Sequence, residues 1–147
     1  MILADLDATE EAGRSLAGCL RIGDVVALSG DLGAGKTSFA RGMLAGLGWT
    51  GEVPSPTFPI VIPYEPPAVR LTLWHVDLYR LETAQEAEVL GLDDALSDGA
   101  LVIEWPERLG ERLWRHALLL RFDHLTEGGR DLTATVPPSW EGRCPFP

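Results

Sequence analysis

The residues whose types and spacing could do chemistry are concentrated at residues 30–37, which read GDLGAGKT. This is a complete Walker A pattern, in which glycines let backbone N–H groups converge on phosphate oxygens at the start of a helix. Lys36 is the only lysine of the chain, and every other strongly basic side chain is an arginine. We expect the Lys36 ammonium to reach the β- and γ-phosphates of a nucleotide and the Thr37 hydroxyl to bind Mg²⁺.

The neighbouring segments supply the context that this loop requires. An apolar, β-like run at residues 23–29 precedes it, and residues 37–47 follow with a helical pattern. The alternative is a glycine turn before an ordinary helix, which the strand, loop and helix order disfavours. The predicted nucleotide contacts from this segment are Gly30, Asp31, Leu32, Gly33, Ala34, Gly35, Lys36, Thr37 and Ser38.

Two further apolar runs, at residues 71–77 and 100–104, each end in an acid. In a parallel sheet, the carboxyl ends of the strands open on the same edge as the phosphate loop, so Asp77 and Glu104 could both face the phosphates. We predict that Glu104 binds the metal; the alternative is a strand-end acid that faces water. Asp77 is predicted to bind the metal or to position water, and the alternative is a salt bridge with Arg80. With Lys36, these acids are the candidate catalytic residues.

Other side chains near these acids have two interpretations each. His75 shares a strand face with Asp77, so it points into the site or is an imidazole bonded to a neighbour at the edge of the core. Trp105 packs over the site or belongs to the core. Residues 55–58 place a hydroxyl in a proline-stiffened loop, which is either a switch that senses the γ-phosphate or a surface turn.

Alternating strand and helix patterns predict an α/β fold similar to P-loop NTPases, with a mostly parallel central sheet flanked by helices. Residues 117–122 and 131–136 flank a Gly-Gly turn and predict a C-terminal antiparallel hairpin. A first helix is expected to start with a cap at residues 7–10, and an acidic helix is expected at residues 83–90. We expect residues 1–136 to form a single P-loop ATPase domain and residues 137–147 to be a loose tail.

Composition narrows the possible partners and compartments. The formal charge of −10 and the pI near 4.6 oppose unaided binding to a nucleic-acid backbone. Cys19 and Cys144 lack metal-ligand spacing, so reduced thiols are expected. No apolar run is long enough to cross a bilayer and the start of the chain lacks signal-peptide features. We therefore expect a cytoplasmic protein without a membrane partner.

Five segments, taken together, resemble one family. They are GDLGAGKT at 30–37, SPTF at 55–58, HVDLYR at 75–80, EVLGLDD at 88–94 and IEWPE at 103–107. In this order and spacing they resemble the TsaE (YjeE) ATPases of bacterial tRNA threonylcarbamoyladenosine (t6A) biosynthesis. The Walker A loop is shared widely, whereas HVDLYR followed by EWP is far more specific.

The resemblance implies roles for individual residues and for partners. Lys36 and Thr37 would bind ATP and Mg²⁺, Glu104 would complete the metal site, and Asp77 would support hydrolysis. Thr57 would belong to a switch loop, and Thr9 and Arg130 would contact the base or sugar of the nucleotide. The family's ATPase docks on the TsaD and TsaB pair, so tRNA would be contacted only indirectly, through these partners.

Two other functions share the phosphate loop. A small-molecule or nucleotide kinase must close a lid over its acceptor, and such lids supply arginines to the transferred phosphate. The chain has no arginine-rich insertion between its strands. A nucleotide-gated binding module without catalysis is the second alternative, and the two strand-end acids count against it.

Overall fold

A computed structural model describes residues 1–56 and 60–147. Its seven strands form one sheet in the order β1-β7-β6-β2-β5-β4-β3. The strands are β1 (Ile2–Leu3), β2 (Val25–Ser29), β3 (Val61–Tyr64), β4 (Thr72–Asp77), β5 (Gly99–Glu104), β6 (Leu118–His124) and β7 (Arg130–Thr135). The α-helices are α1 (Leu6–Ala17), α2 (Lys36–Gly46) and α3 (Leu92–Ala95), and 3-10 helices cover Ala84–Leu90, Pro106–Arg112 and Pro138–Trp140.

The four central strands, β6, β2, β5 and β4, are parallel to one another. All six residues of β5 are buried, which agrees with its unbroken apolar sequence, because a central parallel strand is covered on both faces. Antiparallel strands complete the sheet, since β7 pairs with β6, β1 with β7, and β3 with β4. The predicted α/β fold, with its mostly parallel centre and C-terminal hairpin, is confirmed.

Helices α1 and α2 approach one another so closely that glycine is required at the contact. A Cβ added at Gly42 would overlap the backbone oxygen of Glu10, and one added at Gly13 would overlap that of Phe39. Backbone therefore lies against backbone where the two helices cross. This contact matters for the site because α2 starts at the phosphate loop.

We expect Gly42→Ala to lower the free energy of unfolding by about 1–3 kcal/mol, because the added methyl group must displace the α1 backbone. The control is Gly18→Ala, at the C-terminal end of α1, where an added Cβ meets only an ordinary contact at 3.5 Å. That variant should change stability by no more than about 0.5 kcal/mol. Urea unfolding followed by circular dichroism checks both, and equal stabilities would contradict the proposed helix contact.

The structure corrects two helix predictions. Helix α1 starts at Leu6, earlier than the expected cap at residues 7–10, because the Asp5 carboxylate accepts a hydrogen bond from the Ala8 amide and is the N-cap. The acidic segment forms a 3-10 helix, Ala84–Leu90, which ends at Gly91 in the left-handed conformation before the short α3. No helix in the described residues is both long and apolar enough to span a bilayer.

The C-terminal segment differs from the expected loose tail. Trp140 is fully buried, and the Phe146 ring lies 6.1 Å from that of Phe39 on α2. The Arg143 guanidinium makes two hydrogen bonds of 2.7 and 2.8 Å to the Asp24 carboxylate and lies 3.9 Å from the Trp140 ring centroid. Burial of aromatic surface and a bidentate ion pair fix this segment to the domain.

Candidate nucleotide-binding site

The phosphate loop connects the end of β2 to the start of α2. Its three glycines all have positive φ angles, 142° at Gly30, 77° at Gly33 and 103° at Gly35. These conformations are costly for residues with a side chain. A Cβ at Gly30 would also overlap the backbone oxygen of Phe122 on the neighbouring β6. The glycine spacing is therefore required by the local backbone and not only by a ligand.

Arg130, at the start of β7, stabilises the phosphate loop through hydrogen bonds to its carbonyl oxygens. Its Nε donates to the Ala34 carbonyl oxygen and its Nη2 to that of Gly33, each at 2.9 Å. In a trans peptide the N–H and the C=O point in opposite directions. The hydrogen bond from Arg130 to the Ala34 carbonyl oxygen therefore directs the Gly35 N–H away from Arg130. In the structure Arg130 thus contacts the loop itself; its expected contact with a nucleotide base or sugar stays a prediction.

Thr9 lies under the same loop. It is fully buried on α1, and its hydroxyl donates to the Asp5 carbonyl oxygen at 3.2 Å. A methyl group at Gly35 would lie 3.5 Å from Thr9 Cγ2. The structure therefore makes Thr9 a packing contact of the loop, and its predicted role in binding a nucleotide stays untested.

Lys36, the first residue of α2, is buried with only 4% of its surface exposed. Its ammonium donates to the Gly30 carbonyl oxygen at 2.6 Å and lies 3.5 Å from the centroid of the Trp105 ring. Burial lowers the pKa of Lys36, and the negative charge of Glu104, with smaller effects from other acids, opposes this shift. The ammonium is thus held at the edge of the loop, among carboxylates.

Glu104, at the end of β5, connects the loop helix to the sheet. The Thr37 hydroxyl lies 3.1 Å from both of its carboxylate oxygens, and His75 Nε2 lies 2.7 Å from Oε2. His75 is fully buried, and its Nδ1 has no hydrogen-bond partner within residues 1–56 and 60–147. Because a carboxylate oxygen accepts hydrogen bonds, the Nε2–H of His75 donates to Glu104. Of the two interpretations of His75, the structure supports the imidazole bonded to a neighbour.

Asp77 ends β4 directly beside Glu104, because these two residues are paired in the parallel register of β4 and β5. It is only 5% exposed, and its Oδ1 accepts a hydrogen bond of 2.9 Å from the Tyr79 amide. The turn after the strand thereby holds the carboxylate in place. The apolar strands thus deliver two acids to one edge of the sheet.

These groups surround a cavity of about 210 Å³. It is lined by Leu32, Gly33, Gly35, Lys36, Thr37, Ser55, Asp77, Tyr79, Glu104 and Trp105. The lysine, the threonine and both acids predicted from sequence are therefore together, whereas Arg130 and Thr9 contact the loop that forms one wall. Thr57 lies outside the described residues. A larger cavity of about 400 Å³, between the segments 87–94 and 109–114, includes none of the predicted site residues.

Two aromatic residues, Tyr79 and Trp105, also line this cavity. The motifs predict no role for Tyr79, and of the two interpretations of Trp105 the structure supports the one that places it over the site. The two ring centroids lie 5.1 Å apart. Both follow the strand-end acids closely, Tyr79 two residues after Asp77 and Trp105 directly after Glu104. This position just after a strand-end acid is the sequence signal for a place in the cavity, because the chain leaves the sheet at the edge where the acids lie.

The strand order and the geometry of the loop together define a P-loop nucleotide-binding protein. A family model described as "Threonylcarbamoyl adenosine biosynthesis protein TsaE" matches residues 3–132. The chain belongs to this TsaE family, which confirms the resemblance seen in the motifs.

Individual relatives agree with this family assignment. A tRNA threonylcarbamoyladenosine biosynthesis protein TsaE from Streptomyces coelicolor is 49% identical over 114 residues, with 77% of each chain covered. The protein of the same name from Synechocystis is 48% identical over 114 residues, covering 73% of this chain and 69% of the relative. The crystal structure of Bacillus subtilis YdiB superposes with a TM-score of 0.81 at 31% identity, covering 95% of this chain and 85% of YdiB.

Proposed function

We propose that the protein is a Mg²⁺-dependent ATPase that acts with TsaD and TsaB in forming N6-threonylcarbamoyladenosine in tRNA. ATP binding and hydrolysis would drive turnover of that complex. The observation that carries the proposal is the contact between the Thr37 hydroxyl and both carboxylate oxygens of Glu104, beside the buried Lys36 ammonium. In P-loop NTPases, the phosphate-loop hydroxyl and a strand-end carboxylate hold the Mg²⁺ that bridges the phosphates.

The donor set fits magnesium. Mg²⁺ is usually bound through one or two carboxylates and the phosphates of the substrate, not in an all-protein cage. Within the part of the chain that the structure describes, no group of three or more His, Cys, Asp or Glu side chains could hold a metal ion. Thr37 and Glu104, with Asp77 beside them, would therefore hold Mg²⁺ together with the nucleotide. When bound, the ion supplies positive charge to the phosphate oxygens.

The chain's own groups divide the remaining tasks. The loop amides and the Lys36 ammonium bind the phosphates and favour the negative charge that develops on them during hydrolysis. Asp77, held by the Tyr79 amide, orients the attacking water, directly or through the metal shell. His75 fixes the carboxylate of Glu104 through a 2.7 Å hydrogen bond and is a positioning residue in this proposal.

The charge of the chain agrees with a division of labour among partners. A protein with a formal charge of −10 repels a phosphate backbone, so TsaD and TsaB would hold the tRNA. Residues 1–136 would form the ATPase domain, with residues 137–147 packed against it, and the protein would act in the cytoplasm.

We expect slow ATP hydrolysis by the isolated protein and strong stimulation when purified TsaD and TsaB are added. Phosphate release with Mg²⁺ present is the measurement, and the TsaD and TsaB pair without this protein is the control. Absence of hydrolysis even with both partners would favour the non-catalytic binding module. Rapid phosphoryl transfer to a nucleoside monophosphate in the same assay would show a kinase instead.

A further inference from the structure

The Lys36 ammonium has an aromatic contact that phosphate binding alone does not require. It lies 3.5 Å from the centroid of the Trp105 ring, while its hydrogen bond to the Gly30 carbonyl oxygen holds it from the other side. A cation over the face of an indole is attracted by the negative face of the ring, and the attraction grows when water is excluded. Lys36 is 4% exposed, so its contact with Trp105 is largely dry.

The backbone conformation of Trp105 indicates that its surroundings fix the position of the ring. Its φ angle of 62° and ψ of 50° lie in the left-handed region, which is uncommon for a bulky residue. Such conformations persist where the surroundings determine them, and they concentrate at functional sites. Here Pro106 starts a 3-10 helix directly after Trp105, and the Tyr79 ring lies against the indole, with the two centroids 5.1 Å apart.

We infer that Trp105 is a positioning residue for phosphate binding: its indole face holds the Lys36 ammonium in the phosphate cavity before a nucleotide arrives. A lysine side chain has many rotamers, and fixing it costs free energy on binding. Trp105 and Gly30 remove most of that freedom in advance. The Gly30 oxygen accepts one of the three N–H groups, and the others are available to phosphate oxygens. This inference rests on the proposed nucleotide-binding function of the cavity.

A simpler role for Trp105 is that of a cavity wall that touches the nucleotide directly. The two roles differ in their dependence on Lys36. If the indole acts through the ammonium, its effect on affinity disappears when the ammonium is removed. If it touches the nucleotide itself, the effect remains.

The first experiment uses the fact that Lys36 is the only lysine. Incorporation of ¹³C-lysine gives a single set of side-chain NMR signals without any nucleotide present. We expect the Cε proton signal to be shifted upfield by the indole ring current, and the shift to be lost in Trp105→Leu. A signal at the ordinary lysine position in the wild-type protein would overturn the inference, whatever the protein does with ATP.

The second experiment is a double-mutant cycle measured by calorimetry with adenylyl imidodiphosphate, a non-hydrolysable ATP analogue, and Mg²⁺. We expect Trp105→Leu to weaken binding about 3- to 10-fold, with partial rescue in Trp105→Phe, whose smaller ring still attracts a cation. Trp105→Leu should cause no further loss in a Lys36→Met background. Unchanged affinity in Trp105→Leu, or an equal loss in both backgrounds, would overturn the inference.

The matched control is Trp114→Leu. Trp114 is also half-buried, but it lines the other cavity and its indole N–H donates to Asp93 at 2.7 Å. It should bind the analogue like the wild type. Thermal unfolding of all variants separates loss of folding from loss of positioning. If the wild type binds no nucleotide, the proposed function fails, and the NMR result still decides whether Trp105 holds Lys36.

Discussion

Lys36→Met should lower the affinity for ATP about 100-fold or more, because it removes a charge-assisted contact to the phosphates that no other group of the cavity replaces. Methionine has nearly the same length, and its apolar side chain can still pack on Trp105, so the fold should be retained. Isothermal titration calorimetry with ATP and Mg²⁺ measures the loss. This is the largest effect expected on binding.

Two controls make this result specific. Arg41→Met removes a positive charge from the same helix, but from an exposed side chain that pairs with Glu10, and it should leave the affinity nearly unchanged. Lys36→Arg keeps the charge but replaces a compact ammonium by a flat guanidinium, and it should not restore binding. Similar losses in Lys36→Met and Arg41→Met would mean that general electrostatic attraction, not a specific contact, binds the nucleotide.

Glu104→Gln should reduce ATP hydrolysis about 10²- to 10³-fold in the presence of TsaD and TsaB, while ATP still binds. The amide retains the shape of the side chain and can accept the hydrogen bond from Thr37, but it lacks the negative charge that favours a metal ion. Steady-state hydrolysis at increasing Mg²⁺ concentrations is the measurement. More Mg²⁺ should recover part of the activity.

Glu107→Gln is the matched control, since Glu107 lies three residues further along the chain on an exposed turn of the 3-10 helix. It also contributes to the field at Lys36, but less than Glu104 does. Its activity should stay close to that of the wild type. Normal hydrolysis by Glu104→Gln would refute the assigned role and would move the metal site toward Asp77.

The sequence allowed prediction of those parts of the site that depend on short segments. The loop at 30–37 is read directly, because the backbone conformations there require glycine. Asp77 and Glu104 were predicted to meet because each ends an apolar strand, and parallel strands end on one edge. The register between β4 and β5 indeed pairs these two residues.

The rest depends on contacts between distant segments. Arg130 holds carbonyl groups nearly a hundred residues away in the chain, and β1 is only two residues long, too short for a periodic pattern. The C-terminal segment has no periodicity, so its docking through Trp140 could not be foreseen. The left-handed backbone at Trp105 likewise has no signature in residue type, because tryptophan is not favoured there.

The glycine contact between α1 and α2 links the robustness of the fold to the quality of the binding site. Thr9 lies under the loop, and Gly13 lies one turn further along α1, where this helix crosses α2. A shift of α1 would therefore move both residues. A substitution at the crossing would therefore act twice, once on melting temperature and once on ligand affinity. Natural variation there should be narrow for two separate reasons.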